Sequence, residues 1–479
     1  MSYSTYEIPH FIGGEWVGHP EQKRYNPARP DDVVALTSTG DQGTVVSAVA
    51  AASAAHPGWA SATSVARGAV LTRTAEILTA RRDEIARDLT REEGKTIVES
   101  SGEVARAAEI FRFFGGEGLR MTGQTMPSAV PDTFVYTKRE ALGVVGLITP
   151  WNFPIAIPAW KIAPALIAGN AVVIKPAAIT PVSVWHIARA LDDAGLPKGV
   201  FNVVHGRGGV LGDALVTHPD VRAISFTGST AVGRTIHKSA STRMARVQLE
   251  MGGKNPLVVL DDADPERAAQ IAAAGAFGLT GQACTATSRV ICTPGIRESF
   301  IEALVYEAES YRAGDGLVEG TRMGAVVSDS QLRTDREYLA IAEQQGGRVV
   351  SVGEQRDGLF LDPVVVTDVD PSHRIAQEEV FGPVVAVLSA RDLGDAITIA
   401  NGVSYGLSAG LVTNDMRAAH RFANQVQAGV VKVNRPTGGV DLNVPFGGVK
   451  DSSTNTYREQ GAAAVDFYSW TKSVYLGVD

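Results

Sequence analysis

Cysteine is nearly absent from this 479-residue chain, which has only Cys284 and Cys292, eight apart and in no CxxC pattern. Such a pair supplies neither a disulfide framework nor a structural zinc site, and it favours a reducing compartment. The nine histidines form no pair at helical ligand spacing, so no metal site is expected. A block of lysine and arginine is also missing. The net charge of −8 is modest and leaves no nucleic-acid footprint. The first twenty residues contain no apolar stretch of the signal-peptide kind, which points to the cytoplasm. One long apolar span exists, residues 141–174, with Lys161 as its single charge. Pro150, Pro154, Pro158 and Pro164 interrupt it, so it reads as a buried α/β core and not as a membrane helix.

What is present is the composition of an average soluble enzyme, 44% hydrophobic and 20% charged residues. At roughly 150 residues per domain, the length suggests about three domains. Residues 11–17 read as a short hairpin turning at Gly13-Gly14. Residues 43–56 and 65–93 carry apolar residues at helical spacing and predict long surface helices, and the aromatic group Phe111, Phe113 and Phe114 in residues 99–115 predicts core. Residues 121–139 change to two-residue alternation, with Val135 on one face and Phe134 and Tyr136 on the other, as in a strand hairpin. Strands at 142–148, 171–174, 201–204 and 223–226 then alternate with helices at 159–168, 182–194, 210–216 and from 232, the pattern of a parallel sheet covered on both faces. The alternation restarts after Gly253, with strands at 257–260 and 289–293 and helices at 265–275 and 297–308, and predicts a second α/β domain.

Cys284 lies in a loop between an alanine-rich helix and a β-branched run, and Glu250 stands just before Gly252-Gly253. A thiol in a loop beside a base suits nucleophilic catalysis, whereas Cys292, inside the β-branched run, reads as a buried strand residue. Gly228-Ser229-Thr230-Ala231-Val232-Gly233 follows a strand and opens a helix. Its amides could meet a pyrophosphate at the positive helix end, or it is a plain strand-to-helix turn, since its spacing is not G-x-G-x-x-G. Thr149-Pro150-Trp151-Asn152-Phe153-Pro154 sits at the carboxyl end of a strand, where open α/β sheets bind ligands. Lys175, ending the next strand, is by itself only a strand-end lysine, and Glu379 by itself a solvated acid near a turn.

These motifs, in this order and with Pro445-Phe446-Gly447-Gly448 after them, resemble the NAD(P)-dependent aldehyde dehydrogenase superfamily. The resemblance implies that family's fold: a Rossmann-like cofactor domain (residues 1–121 and 142–250), an α/β catalytic domain (251–450) and a β-hairpin oligomerisation arm (122–141 with 451–479). It implies Cys284 as nucleophile, Glu250 as general base, Asn152 as oxyanion donor and Lys161 as a further catalytic residue. Ile148, Thr149, Pro150, Trp151, Lys175, Ala178, Gly228, Ser229, Gly233, Glu379 and Phe381 would hold NADP or NAD. Many relatives carry a ribose-binding glutamate where Ala178 stands, so Lys175 is left to meet a 2′-phosphate and NADP is expected to serve at least as well as NAD. Phe153, Trp160 and Phe446 would line the substrate site.

Residues 447–461 lack the S-G-x-G-R-E that many relatives carry after Gly-Gly-x-Lys. They resemble instead the group that oxidises 2-oxoglutarate semialdehyde. Succinate-semialdehyde enzymes commonly place an arginine where Trp160 stands, and a broad aldehyde dehydrogenase is the other alternative. An acidic substrate needs a cation. Arg435 is the candidate, its plain alternative being a surface-loop arginine. A non-catalytic structural relative and a CoA-acylating enzyme are both disfavoured by the intact Cys284 and Glu250. The expected partners are a small aldehyde and further copies of the chain as a homodimer or homotetramer, with no nucleic acid and no membrane.

Overall fold

The computed structural model describes residues 4–351, 357–454 and 456–477. Asn455, within the divergent 447–461 segment, and residues 478–479 of the expected oligomerisation segment lie outside them.

Two seven-stranded sheets organise the chain. The first runs Arg246–Glu250, Val221–Thr227, Val144–Ile148, Ala171–Lys175, Phe201–Val203, His10–Ile12 and Glu15–Val17. Its first five strands are parallel and the last two form an antiparallel hairpin edge. Alternate residues of each buried strand face opposite layers. Val145, Leu147, Val172 and Ile174 pack with helices Ala156–Ile167 and Pro181–Asp193, while Val144, Ile148, Ala171 and Val173 pack with helices Gln42–Ser61 and Gly208–Thr217. Burial on both sides explains why these strands read as continuous apolar runs. The chain winds outward from Val144–Ile148 and then returns to place Val221–Thr227 on its other side. The crevice for ligands therefore opens beyond the carboxyl ends of those two strands.

The second sheet runs Arg348–Ser351, Val364–Thr367, Val384–Ser389, Thr287–Cys292, Asn255–Val259, Ser408–Val412 and Val430–Val433, parallel except at Arg348–Ser351. Cys292 is fully buried in its core among Val290, Phe300 and Leu304, as its β-branched setting predicted. A separate three-stranded sheet pairs Ser469–Gly477 with Thr133–Ala141 and that strand with Thr125–Met126. Among the described residues no helix is long and apolar enough to cross a membrane.

Two sequence expectations change. The periodic run 65–93 is not one helix but two, Ser64–Ala80 and Arg82–Glu93, meeting at Arg81 with φ −99° and ψ 11°. Nor do they sit on the surface by one face only: Leu71, Ala75, Leu78, Ile85 and Leu89 all enter the core around Phe111 and Phe114. Helical spacing survives a single non-helical residue, so periodicity alone could not locate the break.

Arg289, 1% exposed, knits the second domain together. It donates to the carbonyls of Lys254, Ile399 and Ala400, the last two closing helix Leu393–Asn401. Arg289→Met would take this donor from the carbonyls of Lys254 and Ala400, while Ile399 O keeps Gly402 N, and the expected loss is about 2–4 kcal/mol. A thermal midpoint unchanged from the parent would contradict this role.

Candidate active site

The site forms where the carboxyl edge of the first sheet meets the amino edge of the second. Strand Arg246–Glu250 ends at the junction, residues 251–254 cross it, and Asn255–Val259 begins the second sheet. At its two glycines the crossing is tightly crowded. A Cβ on Gly252 would stand 2.2 Å from Glu379 Oε2, and one on Gly253 would stand 2.7 Å from the Cys284 carbonyl oxygen. Glu379 in turn accepts from Gly253 N at 3.0 Å.

Glu250 is 2% exposed, and its carboxylate accepts from Ser453 Oγ at 2.8 Å and from Gly448 N at 3.2 Å. Burial first, and the charge of Glu459 second, push its pKa up to about 8. Lys161 is fully buried and is ion-paired with Glu459, with Ser225 Oγ at 2.8 Å. Neither Lys161 nor Glu250 lines the cavities that hold the thiol; both are buried beside them, close enough for the Lys161 charge to act on Glu250.

Cys284 follows the short 3-10 turn Gly278–Gly281, in which Leu279 and Thr280 hold φ of 54° and 56°. Leu279 N donates to Glu99 Oε1 at 2.7 Å, and Asn255 Nδ2 donates to the Cys284 carbonyl at 2.8 Å, so both flanks of the loop are tied. Burial raises the thiol pKa to about 12, with Glu379, Glu250 and Glu459 adding to the effect. Asn152 Nδ2 donates to Gln282 O at 3.0 Å, which fixes the amide and leaves its second N–H for a ligand. The loop carrying Asn152 is itself clamped. Lys95 Nζ donates to the Asn152 carbonyl at 2.6 Å and to Glu103 Oε2 at 2.7 Å, and Glu103 Oε1 accepts from Ile155 N and Ala156 N.

Three adjoining cavities meet here. A cleft of about 670 Å³ is lined by Ile148, Thr149, Pro150, Trp151, Lys175 and Ala178, and by Gly228 and Ser229 at the opening of helix Thr230–Ser241. It shares Pro150, Trp151, Gly228 and Ser229 with a second cavity of about 270 Å³, lined by Asn152, Cys284, Glu379 and Phe381. Trp151 and Phe381 meet there edge to face, centroids 5.4 Å apart. A third cavity, about 370 Å³, holds Phe153, Trp160 and Phe446 and again Cys284. The thiol is thus the point common to the second and third cavities.

The cleft suits a dinucleotide. Lys175 is 6% exposed, has no ion pair among the described residues, and is depressed by burial to about 8. The hydroxyls of Thr149 and Thr227 are buried there without partners. Each is a donor awaiting a ligand oxygen. Gly233 does not line the cleft: a Cβ on it would meet Met251 Sδ at 2.4 Å, so its absence of side chain serves packing of the helix on the crossing.

Arg435 is not in the third cavity. Its guanidinium is exposed and donates to the carbonyl of its own neighbour Asn434. The cavity's cation is Arg106, on helix Ile97–Glu117, bonded at 2.7 Å to Gln460 Oε1. Sequence reading passed over both, because 354 residues separate them and Arg106 follows an unremarkable helical pattern. The segment 447–461 held the one usable signal, its departure from the common pattern. Away from the site, Glu84, Asp88 and His186 bring ligand atoms within 4.8 Å of one another, but Asp88 already accepts from Tyr6 Oη and contacts His186 Nε2.

Residues 16–474 match the aldehyde dehydrogenase family. The chain is 47% identical to an alpha-ketoglutarate semialdehyde dehydrogenase of Haloferax volcanii, over 97% of this chain and 98% of that one. It is 44% identical to an alpha-ketoglutaric semialdehyde dehydrogenase of Bacillus subtilis, over 97% of each. A solved NADP-dependent enzyme from E. coli superposes with a TM-score of 0.95 at 32% identity, covering 99% of this chain and 98% of that one.

Differential alkylation tests the two thiols. With iodoacetamide near pH 8, Cys284, which lines two cavities, should be labelled before Cys292, and more slowly than an unstructured thiol because burial keeps it protonated. Labelling of Cys292 first would contradict the description of the site.

Proposed function

The chain belongs to the aldehyde dehydrogenase family and is an NAD(P)-dependent enzyme that oxidises an aldehyde to a carboxylic acid, and we propose that its substrate is 2-oxoglutarate semialdehyde, converted to 2-oxoglutarate. The observation that carries the proposal is a thiol shared by a cavity containing an arginine and the smaller cavity that continues the dinucleotide-sized cleft.

The proposed chemistry begins at Cys284, whose sulfur bonds to the aldehyde carbon once its proton has gone to Glu250, directly or through water. The oxygen of the adduct gathers negative charge and accepts from the free N–H of Asn152 and from the Cys284 amide. Losing one such donor typically costs roughly 3 kcal/mol of transition-state stabilisation. NAD(P), when bound by Lys175, the amides opening helix Thr230–Ser241 and Glu379, supplies the hydride acceptor. Glu250 gives up the thiol's proton to solvent and then deprotonates the water that cleaves the thioester: a carbon–oxygen bond forms, the carbon–sulfur bond breaks, and the acid leaves. Ser453 and Gly448 orient Glu250 for this step, and the Glu459–Lys161 pair sets its electrostatic surroundings.

Two finer readings belong to the same proposal. Lys175 has no carboxylate at position 178, and Asp213, exposed, is the one acid lining the cleft, so a 2′-phosphate meets a cation and little repulsion. NADP should therefore serve at least as well as NAD. The small sheet exposes Phe134, Trp470, Tyr475 and Leu476, apolar surface suited to pairing with a second copy as a dimer or tetramer, and we place the enzyme in the cytoplasm.

Initial rates with 2-oxoglutarate semialdehyde, succinate semialdehyde and propanal, each with NADP and NAD, test the substrate and cofactor together. The expected result is a kcat/KM at least about tenfold higher for the five-carbon oxo-acid aldehyde, about 1.4 kcal/mol of discrimination, with NADP no worse than NAD. Equal rates across the panel would mean a broad-specificity aldehyde dehydrogenase. A second expectation concerns pH. Glu250 acts as a base only when ionised, so kcat should rise as pH increases through about 8. In Glu250→Gln that rise should vanish and turnover should fall, with any thioester that does form persisting on Cys284, detectable by mass spectrometry. An unchanged profile in the variant would remove Glu250 from the role.

A further inference from the structure

We infer that Arg106, Gln460 and Trp160 form the subsite that grips the 2-oxo-carboxylate end of the substrate, with Arg106 the residue that makes the enzyme selective for an anionic aldehyde. The inference rests on the substrate reading above and adds the residues that would enforce it.

All three side chains line the cavity that has Cys284 at one side, and its volume of about 370 Å³ falls within the roughly 300–1,000 Å³ of small-ligand sites. Arg106 is half-buried and forms no ion pair among the described residues; Asp441 is near enough to favour its charge but does not bond it. A guanidinium can only donate, so the Gln460 atom facing it must be the amide oxygen, which turns the amide nitrogen outward as a further donor. Gln460 is held in that pose by a backbone at φ 61° and is 2% exposed. The indole N–H of Trp160 is buried and has no acceptor in the protein. A guanidinium with an amide N–H beside it on one cavity wall matches the carboxylate and adjacent keto oxygen of a 2-oxo acid, which offers acceptors only, and Trp160 lends the same cavity its ring. Arg106 is also suited to bind both carboxylate oxygens.

Two acids share the cavity wall: Glu103 is neutralised by an ion pair, whereas Glu99 is held by hydrogen bonds alone and keeps its charge. Glu103 is paired with Lys95 and accepts from Ile155 N and Ala156 N. Glu99 accepts from Leu279 N and from the amide and hydroxyl of Thr96. Arg106 keeps a donor surface that its single bond to Gln460 does not exhaust. The aldehyde end of the same molecule then points to Cys284 across a wall of Phe153 and Phe446, which offers no competing polar group.

The test is the ratio of kcat/KM for 2-oxoglutarate semialdehyde to that for propanal in the parent enzyme, Arg106→Met and Arg106→Lys, with NADPH binding by fluorescence as the check of folding. Removing a charge-assisted bond to a carboxylate should lower the ratio about 10- to 100-fold in Arg106→Met, mostly through KM, and Arg106→Lys should recover part of it. Inhibition by the product 2-oxoglutarate should weaken in parallel. If the parent ratio is high and Arg106→Met keeps it, or loses turnover of both aldehydes equally, the subsite is overturned while the substrate reading stands. A parent ratio near one overturns both.

Discussion

The site depends on one bare stretch of backbone. Between Glu250 and Asn255 the chain leaves one sheet and enters another, and at Gly252 and Gly253 the carboxylate of Glu379 and the carbonyl of Cys284 press against it where any side chain would stand. That closeness brings together a base from the end of one sheet, a thiol from the loop before a strand of the other, and an acid from a third region of sequence. The same crowding buries Glu250 and sets Cys284 and Glu379 at the edge of a small cavity. Burial then becomes the largest influence on the pKa of Glu250, Cys284 and Glu379, and it moves all three upward.

A junction this crowded must hold its buried polar groups by specific partners, and the buried ion pairs around it do so. Lys95 and Glu103 tie the Asn152 loop to helix Ile97–Glu117, while Lys161 and Glu459 tie helix Ala156–Ile167 to the segment that carries Ser453 and Gln460. Buried pairs of this kind add little net stability over apolar substitutes, yet removing one partner is costly. Their service here is geometric. Each fixes a loop whose backbone or side chain faces the thiol.

Much of this was legible in the sequence. Doubly buried strands announced themselves as β-branched runs, and the order of Asn152, Lys175, the Gly228 turn, Glu250, Cys284 and Glu379 located the cleft and the thiol. Local pattern failed where function is assembled from distant pieces. Arg435 was the visible cation near a strand end, but its side chain turns outward to its own backbone, whereas Arg106 reads as one more charge on an amphipathic helix and acquires meaning only from Gln460. Glu459 was equally silent, since nothing beside it in sequence reveals that it neutralises Lys161. Gly233 misled in the opposite direction: a glycine in a ligand-like turn proved to be a packing contact against Met251.

The Lys161–Glu459 pair has a consequence for the order in which the protein is made. The two residues are 298 positions apart, and Lys161 is fully buried in the finished chain. As the chain emerges from the ribosome, the strands and helices of the first domain are all available long before Glu459 is synthesised, yet until then the Lys161 ammonium lacks both its counterion and the segment that covers it on that side. The interior cannot take its final form until the distant glutamate arrives. Synthesis order and folding order are thereby decoupled, and a nascent chain carries a nucleophile without the finished chamber that would let it consume an aldehyde.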